Sequence, residues 1–376
     1  MPATLTELDR TFLARASELA ERGRGSVSPN PTVGAVIVRD GQVIGEGWHA
    51  ELGGPHAERA ALADCAQRGA EPRGATVYVT LEPCAHTGRQ PPCATALVEA
   101  GVARVVYASD DPSAKASGRG PGVLRDEGVE VLQASGPEAA AARLAIQPFR
   151  KHARTGTPLV TLKSAVTLDG RTATGAGDSK WISGPESRRL VHRWRAEADA
   201  IAVGIGTALA DDPLLTARDV PGEARQPLRV VFDSRARLPL DGALVRTATE
   251  VPLLVVCSPG APQPERDALA RAGADVLVVD GDGPARVRSA LDELGRREIT
   301  WLLVEGGAGL AGSFIDAGEV DELRLFVAPL LLGGDQARPL AGGTGAAAIA
   351  DGTRALAVDC EPSGEDLLIT ARIREW

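Results

Sequence analysis

Two short segments hold residues whose types and spacing suit a soft metal. His56-Ala57-Glu58 opens a segment of helical patterning, and Pro83-Cys84 closes an apolar strand. Cys93 follows after eight intervening residues, just behind Pro91-Pro92. One imidazole and two thiolates fill three corners of a zinc tetrahedron and leave the fourth for water, which implies catalysis. Zinc lowers the pKa of the water it binds. Glu58 is placed to take a proton from that water and pass it to a departing amine. Pro83 fixes the backbone before Cys84, and helix N-termini favour both thiolates. Taken singly, His56 reads as an ordinary polar residue, and Cys84 and Cys93 as small buried hydrophobes. Their separation also exceeds the compact P-C-x-x-C spacing, so spacing alone leaves zinc and core packing both open. The joint H-A-E and P-C pattern, in fitting helix and strand contexts, points to a zinc deaminase.

The frame that must hold these residues is α/β. The first half reads as a helix over 5–21, a hairpin of Val33–Val38 and Gln42–Gly47 about Asp40-Gly41, and a helix from His56 to Arg68. A strand Thr76–Leu81, a helix Cys93–Ala100 and strands Val102–Ala108 and Val129–Leu132 follow, giving a mixed sheet flanked by helices. Residues 136–149 read as helical, and His152–Thr157 as a connector ending at Pro158. Beyond it come strands at Leu159–Ala165, Ala200–Val203, Leu228–Phe232, Leu253–Cys257, Val276–Val279, Thr300–Val304 and Glu322–Ala328. Helices are expected at 184–196, 263–272, 285–296 and 309–317, and Leu367–Arg374 as a late antiparallel edge strand.

Composition sets the outer bounds. The 376 residues, 44% hydrophobic and 24% charged, suit a globular chain of two or three domains. With only 3% aromatics, Ala, Val, Leu and Ile must fill the cores. Of the 41 basic residues 4 are lysine, leaving 37 arginines. The net charge of −9 argues against a nucleic-acid partner, although local arginines can still bind a phosphorylated small molecule. Acidic residues come early, against a secretory signal, and no apolar run approaches the roughly 18 residues of a membrane span. Five scattered cysteines suit a reducing compartment, hence the cytoplasm.

The second half lacks a G-x-G-x-x-G after an early strand, so the doubly wound dinucleotide fold is not indicated. Instead Trp301–Val304 runs into Glu305-Gly306-Gly307-Ala308-Gly309-Leu310, a strand, glycine turn and helix able to offer N–H groups to a phosphate. A tight turn chosen for packing explains it equally. Asp211-Asp212-Pro213 reads as a cap and turn, and Arg195 and Arg218 are candidate phosphate clamps.

Ser28–Gly34, Gly53–Glu58 and Thr80–Cys93 closely resemble the deaminase half of the bifunctional riboflavin-biosynthesis enzymes. In that family a diaminohydroxyphosphoribosylaminopyrimidine deaminase is joined to a 5-amino-6-(5-phosphoribosylamino)uracil reductase, and the long cysteine spacing is normal. The resemblance implies zinc on His56, Cys84 and Cys93, Glu58 as the proton shuttle, and Asn30 with the His86–Arg89 loop against the substrate. One segment departs: where the family has D-P-N-P, here stands Asp111-Pro112-Ser113-Ala114, continuing to Gly118. Leu162–Ala165, Thr167–Gly170, Asp178–Ser183, Gly206–Arg218, Val304–Gly307 and Pro329–Gly334 resemble the reductase half. That half implies a dihydrofolate-reductase-like α/β domain using NADPH. It places Ala165, Trp181, Thr207, Asp211, Ser234 and the turn Gly307, Ala308, Gly309, Leu310, Ala311 and Gly312 around the cofactor. Ser179, Arg195, Leu215, Arg218 and Glu305 fall around the substrate, with Lys163 or Asp169 as the candidate for proton transfer.

The expected architecture is a cytidine-deaminase-like domain over 1–148 and a reductase domain over 158–376, associating as a homo-oligomer through the latter. The expected substrate is a phosphoribosylated pyrimidine, with no nucleic-acid or membrane partner. Two other readings stay open at this stage. One is a nucleoside, cytosine or tRNA-adenosine deaminase with an unrelated second domain. The other is a zinc-stabilised interaction protein, for which His86 would have to supply a fourth ligand.

Overall fold

A computed structural model describes residues 5–86, 91–113, 116–220, 222 and 225–376. The chain forms two compact units, one running to Thr155 and including Trp376, the other spanning Gly156–Glu375.

The first unit contains α1 (Glu7–Glu21), β1 (Gly34–Arg39), β2 (Gln42–Trp48), α2 (Ala57–Gln67), β3 (Thr76–Leu81) and α3 (Cys93–Glu99). It continues with β4 (Arg104–Ser109), α4 (Arg119–Asp126), β5 (Glu130–Gln133), α5 (Pro137–Ala145) and α6 (Gln147–Thr155). The sheet order is β2-β1-β3-β4-β5. β1 is antiparallel to both β2 and β3, while β3, β4 and β5 run parallel. Strand alternation feeds two cores. Ala35, Ile37, Val77, Val79 and Val105 face one side, and Val36, Val38, Tyr78 and Val106 face the other. Such two-sided burial explains why these strands read as near-continuous apolar runs.

The α1 boundary follows from Thr6, whose hydroxyl accepts from the Asp9 N–H while the Asp9 carboxylate accepts from the Thr6 N–H. Segment 152–157, expected as a connector, instead carries the end of α6. This helix is stabilised by tertiary contacts that its polar sequence does not announce: the Arg150 guanidinium donates to Ser109 Oγ at 3.1 Å and to the Asp110 carbonyl at 2.9 Å.

The second unit holds β6 (Leu159–Thr167), β7 (Arg171–Ala173), α7 (Pro185–Glu197), β8 (Ala200–Gly204), α8 (Ile205–Asp211), β9 (Leu228–Phe232), α9 (Ala243–Arg246) and β10 (Leu253–Cys257). After these come α10 (Gln263–Arg271), β11 (Asp275–Val278), α11 (Gly283–Arg296), β12 (Trp301–Val304), α12 (Ala308–Asp316) and β13 (Glu322–Ala328). The short β14 (Arg338–Pro339), β15 (Ala357–Ser363) and β16 (Asp366–Arg372) complete it. Its main sheet has the order β11-β10-β9-β8-β12-β6-β13-β16-β15. All neighbours are parallel as far as β13, and β16 and β15 are antiparallel. The late strand is therefore antiparallel as expected but not at the edge, because β15 covers it. Asp211 ends α8 rather than capping a turn, and Asp212 adopts the left-handed conformation that stops the helix.

Glycine sets how closely α2 lies on β2. A Cβ at Gly47 would stand 2.3 Å from Ala61 N and 2.6 Å from the Ala57 carbonyl oxygen, so the helix rests directly on the strand. Ala57 lies between His56 and Glu58, and any lift of the helix moves both. Gly47→Ala is expected to cost about 1–3 kcal/mol of stability as overpacking. Thermal unfolding of the full chain tests this, and an unchanged melting temperature would refute the flush contact.

Candidate functional site

In the first unit two helix N-termini converge on the end of β3. His56 is the N-cap of α2 and Cys93 opens α3 behind Pro92. Cys84 lies three residues past the end of β3, and its carbonyl accepts from the Ala94 N–H at 3.0 Å. His56 Nδ1 stands 3.7 Å from Cys84 Sγ and 3.4 Å from Cys93 Sγ. The three donor atoms lie within 4.8 Å of one another. Among the described residues His86 does not join this group, so the set has three protein donors and a fourth corner open. The Cys93 side chain and N–H and the His56 ring all favour the Cys84 thiolate, lowering its pKa to about 4 against the opposing effect of burial. The neighbouring Cys84 sulfur and burial push the Cys93 thiol up. Two sulfurs and an imidazole nitrogen this close together are donors of the kind that can hold a metal ion.

Glu58, in the first turn of α2, is 3% exposed. Burial raises its pKa, as does the adjacent Cys84 thiolate, which suits a carboxylate that must both take and return a proton. Asn30 faces His49, with Asn30 Nδ2 3.1 Å from the ring Nε2. The other ring nitrogen of His49 lies 2.9 Å from the Pro55 carbonyl, which can only accept. His49 is therefore protonated on Nδ1 and accepts from Asn30 on Nε2, which fixes the Asn30 amide. Burial lowers the His49 pKa and keeps the ring neutral. Sequence reasoning missed His49; its signal was a rare histidine seven residues before His56. Of the expected substrate loop, residues 87–89 lie outside the described residues, as do Ala114 and Lys115 of the divergent segment.

The second unit gathers charges where its central strands end. Glu305 follows β12, and its carboxylate accepts from Arg195 Nε at 2.7 Å and NH2 at 3.0 Å. Lys163 Nζ on β6 lies 3.7 Å from Glu305 Oε2. Burial acts to raise the Glu305 pKa, but the two cations hold it down to about 2. Burial also pushes the Lys163 ammonium below its ordinary value, with Glu305 opposing and Arg195 adding to the shift. Arg195 NH1 donates to the Thr216 carbonyl at 3.3 Å, and Arg229 to the Leu214 carbonyl at 3.3 Å. Between them Leu215 is held at a left-handed φ of 52°. The Arg218 N–H donates to His192 Nδ1 at 3.3 Å, and the Arg218 side chain is exposed.

Thr207 Oγ1 accepts from the Gly307 N–H at 3.0 Å, joining α8 to the N-cap of α12. Within the turn Leu310 and Ala311 face the core, and a Cβ on Gly312 would meet the Gly342 carbonyl at 2.3 Å. The Leu310 and Ala311 N–H groups both donate to the Gly307 carbonyl at 3.1 Å. Ala165 pairs with Phe326 on the next strand, while Trp181 is 70% exposed with the Arg188 guanidinium 4.7 Å above its ring. Lys180, beside Ser179 and Trp181, reaches Asp211 at 3.5 Å. Ser234 lies beyond β9, its hydroxyl 2.7 Å from Arg286 NH1. Asp169 is occupied otherwise. It accepts from the Thr167 hydroxyl at 2.7 Å and from the N–H groups of Leu332 and Gly333, at 3.1 and 2.7 Å, so it anchors the 330–334 loop. These bonds lower its pKa to about 2 and hold it as an ionised carboxylate tied to the loop backbone.

Residues 6–109 match the cytidine and deoxycytidylate deaminase zinc-binding region, and residues 158–369 match the RibD C-terminal domain. The riboflavin biosynthesis protein RibD of Actinobacillus pleuropneumoniae is 41% identical over 367 residues, covering 97% of this chain and 95% of that protein. RibD of Escherichia coli is 41% identical over 338 residues, or 87% and 89% of the two chains. Among solved structures, Acinetobacter baumannii RibD superposes with a TM-score of 0.86 at 38% identity, covering 98% of this chain and 99% of that one. The Thermotoga maritima diaminohydroxyphosphoribosylaminopyrimidine deaminase/5-amino-6-(5-phosphoribosylamino)uracil reductase gives 0.85 at 34% identity, over 98% and 99%. With a deaminase region and a reductase region joined in the same order and matched from end to end, the chain belongs to the RibD family and is a bifunctional deaminase and reductase of riboflavin biosynthesis.

Proposed function

We propose that residues 1–148 hydrolyse the amino group of 2,5-diamino-6-(5-phosphoribosylamino)pyrimidin-4-one, and that residues 158–376 then reduce the ribosyl group of the product to ribityl with NADPH. The observation that carries the first step is the buried Glu58 carboxyl beside the His56, Cys84 and Cys93 donors. Those three residues would hold one zinc ion, which when bound supplies a nucleophilic water at neutral pH. Glu58 takes the proton of the attacking water and returns it to the amine, which leaves as ammonia. Asn30, held by His49, hydrogen-bonds the pyrimidine edge.

In the second half the Gly307–Gly312 turn, Thr207, Ala165, Trp181, Asp211 and Ser234 would hold NADPH, whose chemistry is hydride delivery to the sugar C1. The N-terminus of α12 suits a pyrophosphate. Arg195, Arg218, Ser179, Leu215 and Glu305 would hold the phosphoribosyl group. Lys163 donates the proton that the ring oxygen takes as the sugar opens. Burial lowers the pKa of this ammonium, against the pull of the Glu305 carboxylate 3.7 Å away, and so favours proton release. The reading extends to a cytoplasmic enzyme, supported by five free thiols. It also extends to a homo-oligomer joined through the second half, supported by the exposed edge strand β15 and the exposed Leu356, Val358 and Leu367. Among the described residues no helix is long and apolar enough to cross a membrane.

A coupled assay on the full chain tests both steps. Glu58→Gln is expected to lower deamination by about 10²–10⁴-fold while reduction of supplied 5-amino-6-(5-phosphoribosylamino)uracil persists. Undiminished deamination would remove Glu58 from the mechanism. Lys163→Met is expected to lower kcat of reduction by about 10²-fold or more, with NADPH still quenching protein fluorescence. Wild-type turnover in that variant would transfer the proton-donor role elsewhere.

A further inference from the structure

We infer that Ser234 and Arg286 form the seat of the 2′-phosphate of NADPH and so select this cofactor over NADH; the inference rests on the reading that the second half binds NADPH.

Strand order supplies the first argument. Reading across the sheet, β9, β8, β12 and β6 are successive neighbours. A dinucleotide with its pyrophosphate at the start of α12 sits at the end of β12. One strand away lies Ala165 on β6, at the nicotinamide side. Two strands the other way, about 10 Å, lies the end of β9, at the adenosine side. The α12 and α11 helices bridge that distance: Phe232 at the end of β9 meets Phe314 of α12 edge to face at 5.8 Å, and a Cβ on Gly283 of α11 would come within 2.8 Å of Ser313 Oγ.

The chemistry at the end of β9 supplies the second. An acid beside the adenosine ribose of a dinucleotide accepts from its 2′-hydroxyl, whereas an arginine there accommodates a 2′-phosphate. Here the acid is Asp233, but it is fully buried and its two oxygens accept from the N–H groups of Leu238 at 2.8 Å and Arg235 at 3.4 Å. It holds the turn and does not face a ribose. The next residue is Ser234, whose carbonyl accepts from the Ser258 hydroxyl at 2.7 Å, which fixes its position. Its own hydroxyl lies 2.7 Å from Arg286 NH1, while Arg286 NH2 donates to the Gly281 carbonyl at 2.6 Å.

The Arg286 guanidinium is thus held in place by the protein, and among the described residues it has no carboxylate partner and its buried Nε has no hydrogen-bond partner. Arg266 on the adjoining α10 has the same orphaned Nε, and Arg235 and Arg237 are exposed in the same turn. The nearby acids are engaged: Asp282 accepts from the Ala285 N–H at 2.9 Å, and Asp280 from the Gly281 N–H at 2.7 Å. A serine hydroxyl and a preset guanidinium make a match for a phosphate dianion, not for a neutral hydroxyl.

The test is equilibrium binding of NADPH and NADH to the full-length protein, followed by calorimetry or fluorescence, for the wild type, Arg286→Ala, Arg286→Lys and Ser234→Ala. Arg286→Ala is expected to weaken NADPH by about tenfold or more while NADH shifts by less than about twofold. Ser234→Ala moves the same way by less, and the lysine variant, which keeps the charge, restores part of the loss. Adenosine 2′,5′-bisphosphate displaces NADPH from the wild type, and binds the alanine variant at least about tenfold more weakly. Equal weakening of both dinucleotides, or unchanged NADPH affinity in a variant with wild-type circular dichroism, overturns the assignment. A wild type that binds neither dinucleotide overturns the NADPH reading itself.

Discussion

A parallel strand must pass its chain to a helix through a turn, and that turn leaves unpaired N–H groups and open space at the strand's carboxyl end. Both halves of this protein gather their candidate site residues there, and with the same device. Glu82 is the first residue beyond β3, and its N–H still donates to the Ser109 carbonyl of the neighbouring β4 at 2.9 Å. Glu305 is the first residue beyond β12, and its N–H donates to the Ala202 carbonyl of the neighbouring β8 at 2.8 Å. In each case the sheet ladder holds the acid's backbone one step past the strand, so the side chain is aimed by the rigid sheet. Cys84 and the Gly307 turn then inherit their positions from these fixed acids.

The two sites differ in how they tolerate buried charge. In the second unit Lys163, Arg195 and Glu305 share one enclosed region, two cations against one anion. The bidentate Arg195 pair satisfies both oxygens of Glu305, and the remaining positive excess suits an anionic phosphoribosyl group. Arg229 shows the opposite solution. It is fully buried, faces Thr247 Oγ1 and backbone carbonyls of Leu214, Thr247 and Val251, and burial lowers its pKa to about 10. Its work is to tie the Leu214–Leu215 backbone to the sheet. Gln226 completes the strap, bonding the N–H and carbonyl of Ala217 at 2.9 and 3.0 Å. The left-handed Leu215 is sustained by this framework on both sides.

Strands buried on two faces, such as β3, β9 and β10, were legible because each reads as an apolar run closed by turn residues. The candidate metal donors were legible for another reason: their types are rare and their contexts differ, a helix start and the segment just past a strand. The missing elements lack local signals. β15 carries Asp359, Glu361 and Pro362 and is exposed along most of its length, so only its pairing with β16 makes it a strand. α6 draws its helical state from buried Arg150 and Lys151, residues whose burial no periodicity predicts. Arg286 is one of 37 arginines, and only the fold brings it to Ser234. Asp169 looked available for proton transfer because a sequence cannot show that both its oxygens already serve the 330–334 loop.

The divergent segment beyond β4 illustrates how a loop can change its middle without losing its ends. Glu82 is 5% exposed, and its Oε2 faces the Asp111 N–H at 3.5 Å. This side chain therefore ties down the start of the loop that departs from the family pattern. Just before it, Arg150 grips the Asp110 carbonyl and both its carboxylate oxygens, at 2.9, 3.1 and 3.2 Å. Just after it, Gly120 packs on the Pro83 carbonyl so closely that a Cβ would stand 1.7 Å away, which seats α4 directly against the residue preceding Cys84. Within the loop the Ser113 N–H donates to Asp111 Oδ1 at 2.8 Å, so the turn that opens it closes on its own aspartate. Replacing the usual Asn and second Pro leaves all of these anchors in place. Pro83, just before Cys84, thus lies against the first turn of α4.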